Sequence, residues 1–269
     1  MKFVSDLLRS SKSGGSGLRA VVPAAGDSEK GVVGLFRRSL LLHMTVFGVL
    51  CCVVTVASAD DKPQKPTSDQ DGWQPLFNGK DLTGWKVTEF GGEGEVTVAE
   101  GIVTIDQGVD LSGITSTRKD LPRMNYEIEF EARRVAGSDF FAGLTFPVHD
   151  SACSLIVGGW GGGVTGISSL DGLDASENET TGFFSFTKEQ WYKFRLRVTP
   201  GKIEAWMDEK SLVDVETEGR KIDVRFEVEL SKPLGFSTYQ TTAEIRGARI
   251  RPIAQQSPKS PSKASDASQ

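Results

Sequence analysis

Between Gly72 and Ile253 apolar side chains recur at every second position, the period of a strand whose residues point alternately to opposite faces. The clearest run sets Tyr126, Ile128, Phe130 and Ala132 against Glu127, Glu129, Glu131 and Arg133. The alternation returns in Tyr192, Phe194, Leu196 and Val198 against Lys193, Arg195 and Arg197. It appears again in Ile203, Ala205 and Met207 against Glu204, Trp206 and Asp208. One apolar face and one wet face predict antiparallel sheets. Turn-forming stretches at Asn78-Gly79, Pro200-Gly201, Asp208 to Lys210 and Pro233 separate the apolar runs at short intervals. Strands of this number and spacing predict an all-β antiparallel sandwich or barrel, and helical periodicity is scarce.

Outside this region the pattern changes. Arg37 and Arg38 precede an apolar run over about 40–56, and Ala57-Ser58-Ala59 supplies the small residues that a signal peptidase site needs. Residues 1–59 therefore read as a leader with a signal peptide, an uncleaved N-terminal anchor being the alternative because the run is long. The Ser- and Gly-rich stretch at 1–34 is longer than an ordinary n-region, which either a start codon set too far upstream or a true extended leader would explain. Residues 60–71, with Pro63 and Pro66, read as a linker, and 254–269 as a disordered tail rich in Ser and Pro. Residues 72–253 remain as one domain with a sizeable core. The expected location is outside the cytoplasm: periplasmic, cell-surface or secreted, with no membrane attachment once the signal is cleaved.

Charge and cysteine content narrow the partners. The chain has a formal net charge of −5, and removing 1–59 takes away seven basic and three acidic residues, leaving 24 basic against 33 acidic. Lys and Arg are interleaved with Asp and Glu, so no basic stripe exists to neutralise phosphates and nucleic acid is excluded as a partner. Cys51 and Cys52 lie in the leader, which leaves Cys153 without a partner for an internal disulfide. It reads as a small buried strand residue, with a reactive thiol as the alternative.

The segment from Pro75 to Trp85, Pro-Leu-Phe-Asn-Gly-Lys-Asp-Leu-Thr-Gly-Trp, resembles the opening motif of the 3-keto-disaccharide hydrolase domain family. Asn125 to Phe130 resembles that family's central strand, Trp191 to Val198 with Lys202 to Met207 its paired late strands, and Leu234-Gly235-Phe236 and Ala248-Arg249-Ile250 its closing strands. The resemblance implies a concanavalin-like jelly roll, related in shape to laminarinase-type glycoside hydrolases (family 16), in an exported protein that cleaves 3-keto-glycosides. In such a sugar the ketone acidifies the neighbouring C2 hydrogen, so elimination of the anomeric substituent needs a base, an acid for the leaving oxygen and an electrophilic group near the ketone. The chain departs from the family in two places. Ala152 to Ile156 stands where relatives carry a Tyr-Glu-x-Gln-like strand, and Ser237 to Gln240 where they carry a Gln-Asp-His-Gly-like run.

Candidate site residues follow from chemistry and from this resemblance together. His149, the one histidine after the leader, with Asp150 beside it could act as a base with its orienting group or as half of a metal site, or be an exposed turn pair. Asp139 sits where family members place a loop leading to the sugar-facing sheet, and could contact sugar hydroxyls or cap its own backbone. Trp160, ringed by Gly158, Gly159 and Gly161 to Gly163, is a natural stacking platform for a pyranose, or a plug at the sheet edge. The enzyme reading makes His149, Asp139 and Tyr239 catalytic and Trp160, Asp150 and Gln240 substrate-binding. The alternative is a carbohydrate-binding or adhesion module that has lost its acid and base. Either way the partner is carbohydrate. No cofactor is required, although Asp171, Asp174, Glu177 and Glu179 form an acidic loop that could hold a divalent cation such as calcium. Trp85, Trp191 and Tyr126 read as core.

Overall fold

The computed structural model describes Asp69 and residues 71–254. The predicted leader, and nearly all of the linker and tail, lie outside the described residues. Fifteen strands are present among them. The first five are β1 (Gln74–Pro75), β2 (Trp85–Val87), β3 (Val96–Ala99), β4 (Ile102–Ile105) and β5 (Leu111–Ser116). The middle of the chain forms β6 (Tyr126–Gly137), β7 (Ala142–Val148), β8 (Ser151–Gly159), β9 (Val164–Ser168) and β10 (Gly182–Phe183). The last five are β11 (Tyr192–Thr199), β12 (Lys202–Met207), β13 (Lys210–Glu216), β14 (Gly235–Tyr239) and β15 (Thr241–Pro252). A 3-10 helix, Phe226–Ser231, precedes β14.

The strands form two antiparallel sheets packed as a jelly-roll sandwich. One has the order β13-β12-β11-β6-β15-β4-β3, with β1 added on β15, and the other β10-β9-β8-β7-β14-β5-β2. Register follows the alternation read from the sequence: Phe194 pairs with Phe130 and Leu196 with Ile128, so the apolar sets of β11 and β6 share the inner face. Phe130 stacks on Phe194 (centroids 5.1 Å apart) and meets Phe236 of the opposite sheet edge-on at 5.2 Å. Each fully buried ring of this kind contributes on the order of 2 kcal/mol by removal from water. Tyr126 is buried in the same layer, where its hydroxyl donates to the Pro147 carbonyl at 2.6 Å and ties the two sheets together. Cys153 is buried too, its Sγ 3.6 Å from the Ser168 carbonyl oxygen, as expected of a small strand residue.

The outer faces differ. On the β6 sheet the wet face is a ladder of ion pairs. Glu127 accepts from Arg197 and Arg251, Glu129 from Arg249, and Glu131 from Arg246. Trp191, read as core, lies on this outer face instead. The Arg133 and Arg246 guanidinium groups cover its ring at 4.8 and 4.1 Å. The reason is parity: Trp191 neighbours the outward set of β11, and cation–π stacking with an apolar arginine stem satisfies an indole without burying it between the sheets.

The central strands of the β7 sheet, β7, β8 and β9, are buried on both faces. Their outer side carries small and hydroxylated residues, including Thr145 and Ser154, whose hydroxyls meet at 2.9 Å. Two segments cover them. The loop at 169–181 binds β9 through Asn178 Nδ2, which donates to the Ile167 carbonyl at 2.8 Å, and Thr180 Oγ1, which accepts the Ile167 N–H at 2.9 Å. The second segment, leading into the 3-10 helix, packs Val224 and Val228 on Ala152 and accepts a hydrogen bond from Thr115 Oγ1 at the Leu230 carbonyl (2.8 Å). Ion pairs join the two covers: Arg220 to Asp171 and Glu179, and Arg225 to Asp174.

Candidate functional site

Four loops converge at one end of the sandwich: β4–β5, β6–β7, β8–β9 and β14–β15. The β6–β7 connection carries Asp139. Its Oδ1 accepts the Phe140 N–H at 2.8 Å and its Oδ2 accepts the Gly161 N–H at 2.8 Å. The carboxylate therefore caps its own loop and holds the β8–β9 turn, where Trp160 stands 45% exposed in a left-handed backbone conformation (φ 50°). Phe140 accepts the Tyr239 N–H at its carbonyl (3.1 Å), and the two rings stack with centroids 6.0 Å apart. Phe140 can lie across the sheet because residue 143 is glycine. A Cβ there would stand 3.0 Å from Phe140 Cε2 and 2.7 Å from Ser237 Oγ.

Asp110 of the β4–β5 loop completes the cluster. Its carbonyl accepts the Gln240 N–H at 2.9 Å and its Oδ1 the Gln240 Nε2–H at 3.2 Å. The Tyr239 phenol is held above its ordinary range, first by burial and then by the charge and hydrogen bond of the Asp110 carboxylate, with the charge of Asp139 adding to it. At neutral pH the phenol is thus a proton-bearing donor. The end of the sandwich offers an exposed indole, a stacked aromatic pair, two carboxylates, an amide and a phenol. That set suits a polyhydroxylated ligand with apolar C–H faces.

Of the six residues singled out from sequence, the structure brings Asp139, Trp160, Tyr239 and Gln240 together. His149 and Asp150 lie apart from them, in the β7–β8 turn. Asp139 precedes β7 and His149 follows it, so the seven residues of that strand separate them by on the order of 20 Å. There Arg123 donates to the His149 carbonyl at 3.0 Å and pairs with the exposed Asp150 at 3.5 Å. Asp110 and Phe140 were not legible in the sequence, because neither lies in a recognisable motif and both join the site only through long-range register.

The acidic loop is committed elsewhere. Asp171, Asp174 and Glu179 are ion-paired to Arg220 and Arg225, and among the described residues no group of three or more His, Cys, Asp or Glu is placed to hold a metal ion. Asn178, which opens the sequon Asn178-Glu179-Thr180, is buried and donates its amide to the Ile167, Leu173 and Asp174 carbonyls. A groove of about 410 Å³ lies on the β6 sheet between Trp73, Phe77, Asn78 and Arg249, and none of the six residues lines it.

A family model described as a 3-keto-alpha-glucoside-1,2-lyase-like domain matches residues 72–251. No curated protein matches the sequence. Solved structures of similar shape include a candidate glycosyl hydrolase from Parabacteroides distasonis, 16% identical, covering 68% of this chain and 95% of that one with a TM-score of 0.44. The carbohydrate-binding module CBM66 from Bacillus subtilis is 12% identical, covering 63% and 96% with a TM-score of 0.43. Domain 4 of AbnA, an extracellular arabinanase from Geobacillus stearothermophilus in complex with arabinotriose, is 14% identical, covering 65% and 89% with a TM-score of 0.44.

Proposed function

The chain belongs to the family of 3-keto-alpha-glucoside-1,2-lyase-like domains, and from that premise we propose that it is an exported carbohydrate-recognition domain holding a sugar against Trp160. The observation that carries this reading is the placement of an exposed indole on a turn fixed by Asp139, at the same end of the sandwich as Tyr239, Gln240 and Asp110. Stacking on the indole supplies apolar contact, and the phenol, amide and carboxylates supply directional hydrogen bonds to hydroxyls.

Three features favour recognition over turnover by the residues first considered. His149 is an entire strand length away. Both Asp139 oxygens already accept backbone N–H groups, so this carboxylate is a poor candidate base. The outer face of the β7 sheet, where a sandwich of this kind could form a cleft, is filled by the 169–181 loop and the segment around Val224 and Val228. Export rests on Arg37-Arg38, the apolar run and Ala57-Ser58-Ala59, and an N-terminus at Asp60 in the mature protein would bear it out.

A second reading, catalysis on 3-keto-glycosides, is favoured by one observation: the Tyr239 phenol keeps its proton beside the Asp110 carboxylate, a donor and acceptor pair. The deciding experiment screens the purified protein and Trp160→Ala on a glycan array, with 3-keto-glucosides assayed in parallel for turnover. Binding that disappears with Trp160 supports recognition. Turnover lost in Tyr239→Phe would support the second reading, and neither binding nor turnover would refute both.

A further inference from the structure

Arg134 is an arginine at an inward position. On β6 the even-numbered residues Tyr126, Ile128, Phe130 and Ala132 face the core, and Arg134 continues that set, pairing across to the buried Ala243 of β15. It is 6% exposed. Its guanidinium reaches across the end of the sandwich and lies over the Phe141 ring, 5.1 Å from the centroid. There Nη2 donates to three carbonyls: Asp139 at 3.0 Å, Gly158 at 3.1 Å and Gly162 at 3.1 Å. Two N–H bonds are shared among three acceptors from two loops. Gly158 permits the approach, since a Cβ at that position would stand 2.6 Å from Nη2.

A buried cation held by carbonyl dipoles and the Phe141 and Phe186 ring faces, with the charge of Asp139 near it, is a costly core element, because desolvation is only partly offset. An apolar side chain of similar length would fill the same volume without that cost. What the guanidinium does that an apolar chain could not is join the loop bearing Asp139 to both ends of the turn bearing Trp160.

We propose that Arg134 is the positioning residue of the sugar platform, a buried guanidinium that fixes the Trp160 turn against the Asp139 loop. It touches no ligand and acts through the two loops it joins. The inference rests on the recognition reading for its consequence, but the ordering of the turn can be observed without any ligand.

The test labels the protein with 5-fluorotryptophan, assigns the Trp160 resonance by its loss in Trp160→Phe, and compares Arg134→Met and Arg134→Lys. In Arg134→Met the thermal transition is expected to stay cooperative and the Trp85 resonance unchanged, while the Trp160 resonance broadens or moves and glycan affinity falls about tenfold or more. Arg134→Lys retains N–H donors at nearly the same reach and is expected to restore part of both. An unchanged Trp160 resonance in a folded Arg134→Met protein would overturn the proposal. Loss of cooperative folding in both variants would also overturn it, by making Arg134 a support of the whole core. If the parent protein binds no glycan, the recognition reading falls while the resonance still decides whether Arg134 orders the turn.

Discussion

Asp139 and Gly161 are joined by a 2.8 Å hydrogen bond from the Gly161 N–H to Oδ2, and this contact between two loops 22 residues apart sets where Trp160 stands. Asp139→Ala removes that acceptor and the cap on Phe140 together. The domain is expected to lose about 1 to 2 kcal/mol of stability and its glycan affinity, whereas Asp139→Asn, which keeps a carbonyl acceptor, loses less of each. Denaturant melts and calorimetric titration of both variants check the ordering.

Trp160→Ala is expected to leave the thermal midpoint nearly unchanged, because the indole is substantially exposed and lies outside the main core. Glycan binding should weaken about tenfold or more through loss of the stacking surface. A side-by-side melt and glycan titration measures both.

Burial, and then Asp110, hold the Tyr239 phenol protonated above its ordinary range. Its contribution to binding is therefore expected to persist through neutral pH and up to about pH 10. A group whose folded pKa is raised stabilises the fold fully below its unfolded pKa and loses that contribution as pH rises through the folded value. Stability should thus fall in the alkaline range, less steeply in Tyr239→Phe. Absorbance titration of phenolate formation, with and without this substitution, separates the Tyr239 step from that of Tyr126, which full burial also pushes well above the ordinary range.

Glu127 is fully buried on the sheet's outer side, and although burial pushes its carboxyl up, hydrogen bonds from Arg251 and Arg197 outweigh it and bring the pKa below the ordinary value. With a depressed folded pKa its stabilisation is present above about pH 4.5 and lost as pH falls through the folded value. Glu127→Gln is expected to cost about 2 to 3 kcal/mol at neutral pH and to flatten the acid limb of the stability profile, measurable by urea denaturation across that range.

Burial drives the Cys153 thiol up to about 12. It should resist thiol reagents at pH 8 in the native protein and react fully in denaturant, with peptide mass spectrometry placing the label.

Much of the architecture was legible in the chain because it is written in local parity. The alternation over Tyr126 to Arg133 predicts which face is buried, and the observed pairing of Phe130 with Phe194 keeps both rings on that face. Arg134 continues the even-numbered set, but its charge breaks the apolar alternation, and only the structure shows it inward. Trp191 departs from the core placement its volume predicts, because its neighbours on the wet face are arginines able to stack on it.

The sequence by itself determined the strand period, the apolar faces, the family and four of the side chains that gather at one end of the sandwich, Asp139, Trp160, Tyr239 and Gln240. Tertiary structure alone decided which candidates meet. Asp139 and His149 flank the same strand, and an extended strand carries its two ends to opposite edges of the sandwich. Tyr239 joins Asp139 through the Phe140 carbonyl and Gln240 joins Asp110 across a separation of 130 residues. Such contacts depend on how sheets close and which loops share an end, and no local spacing records that.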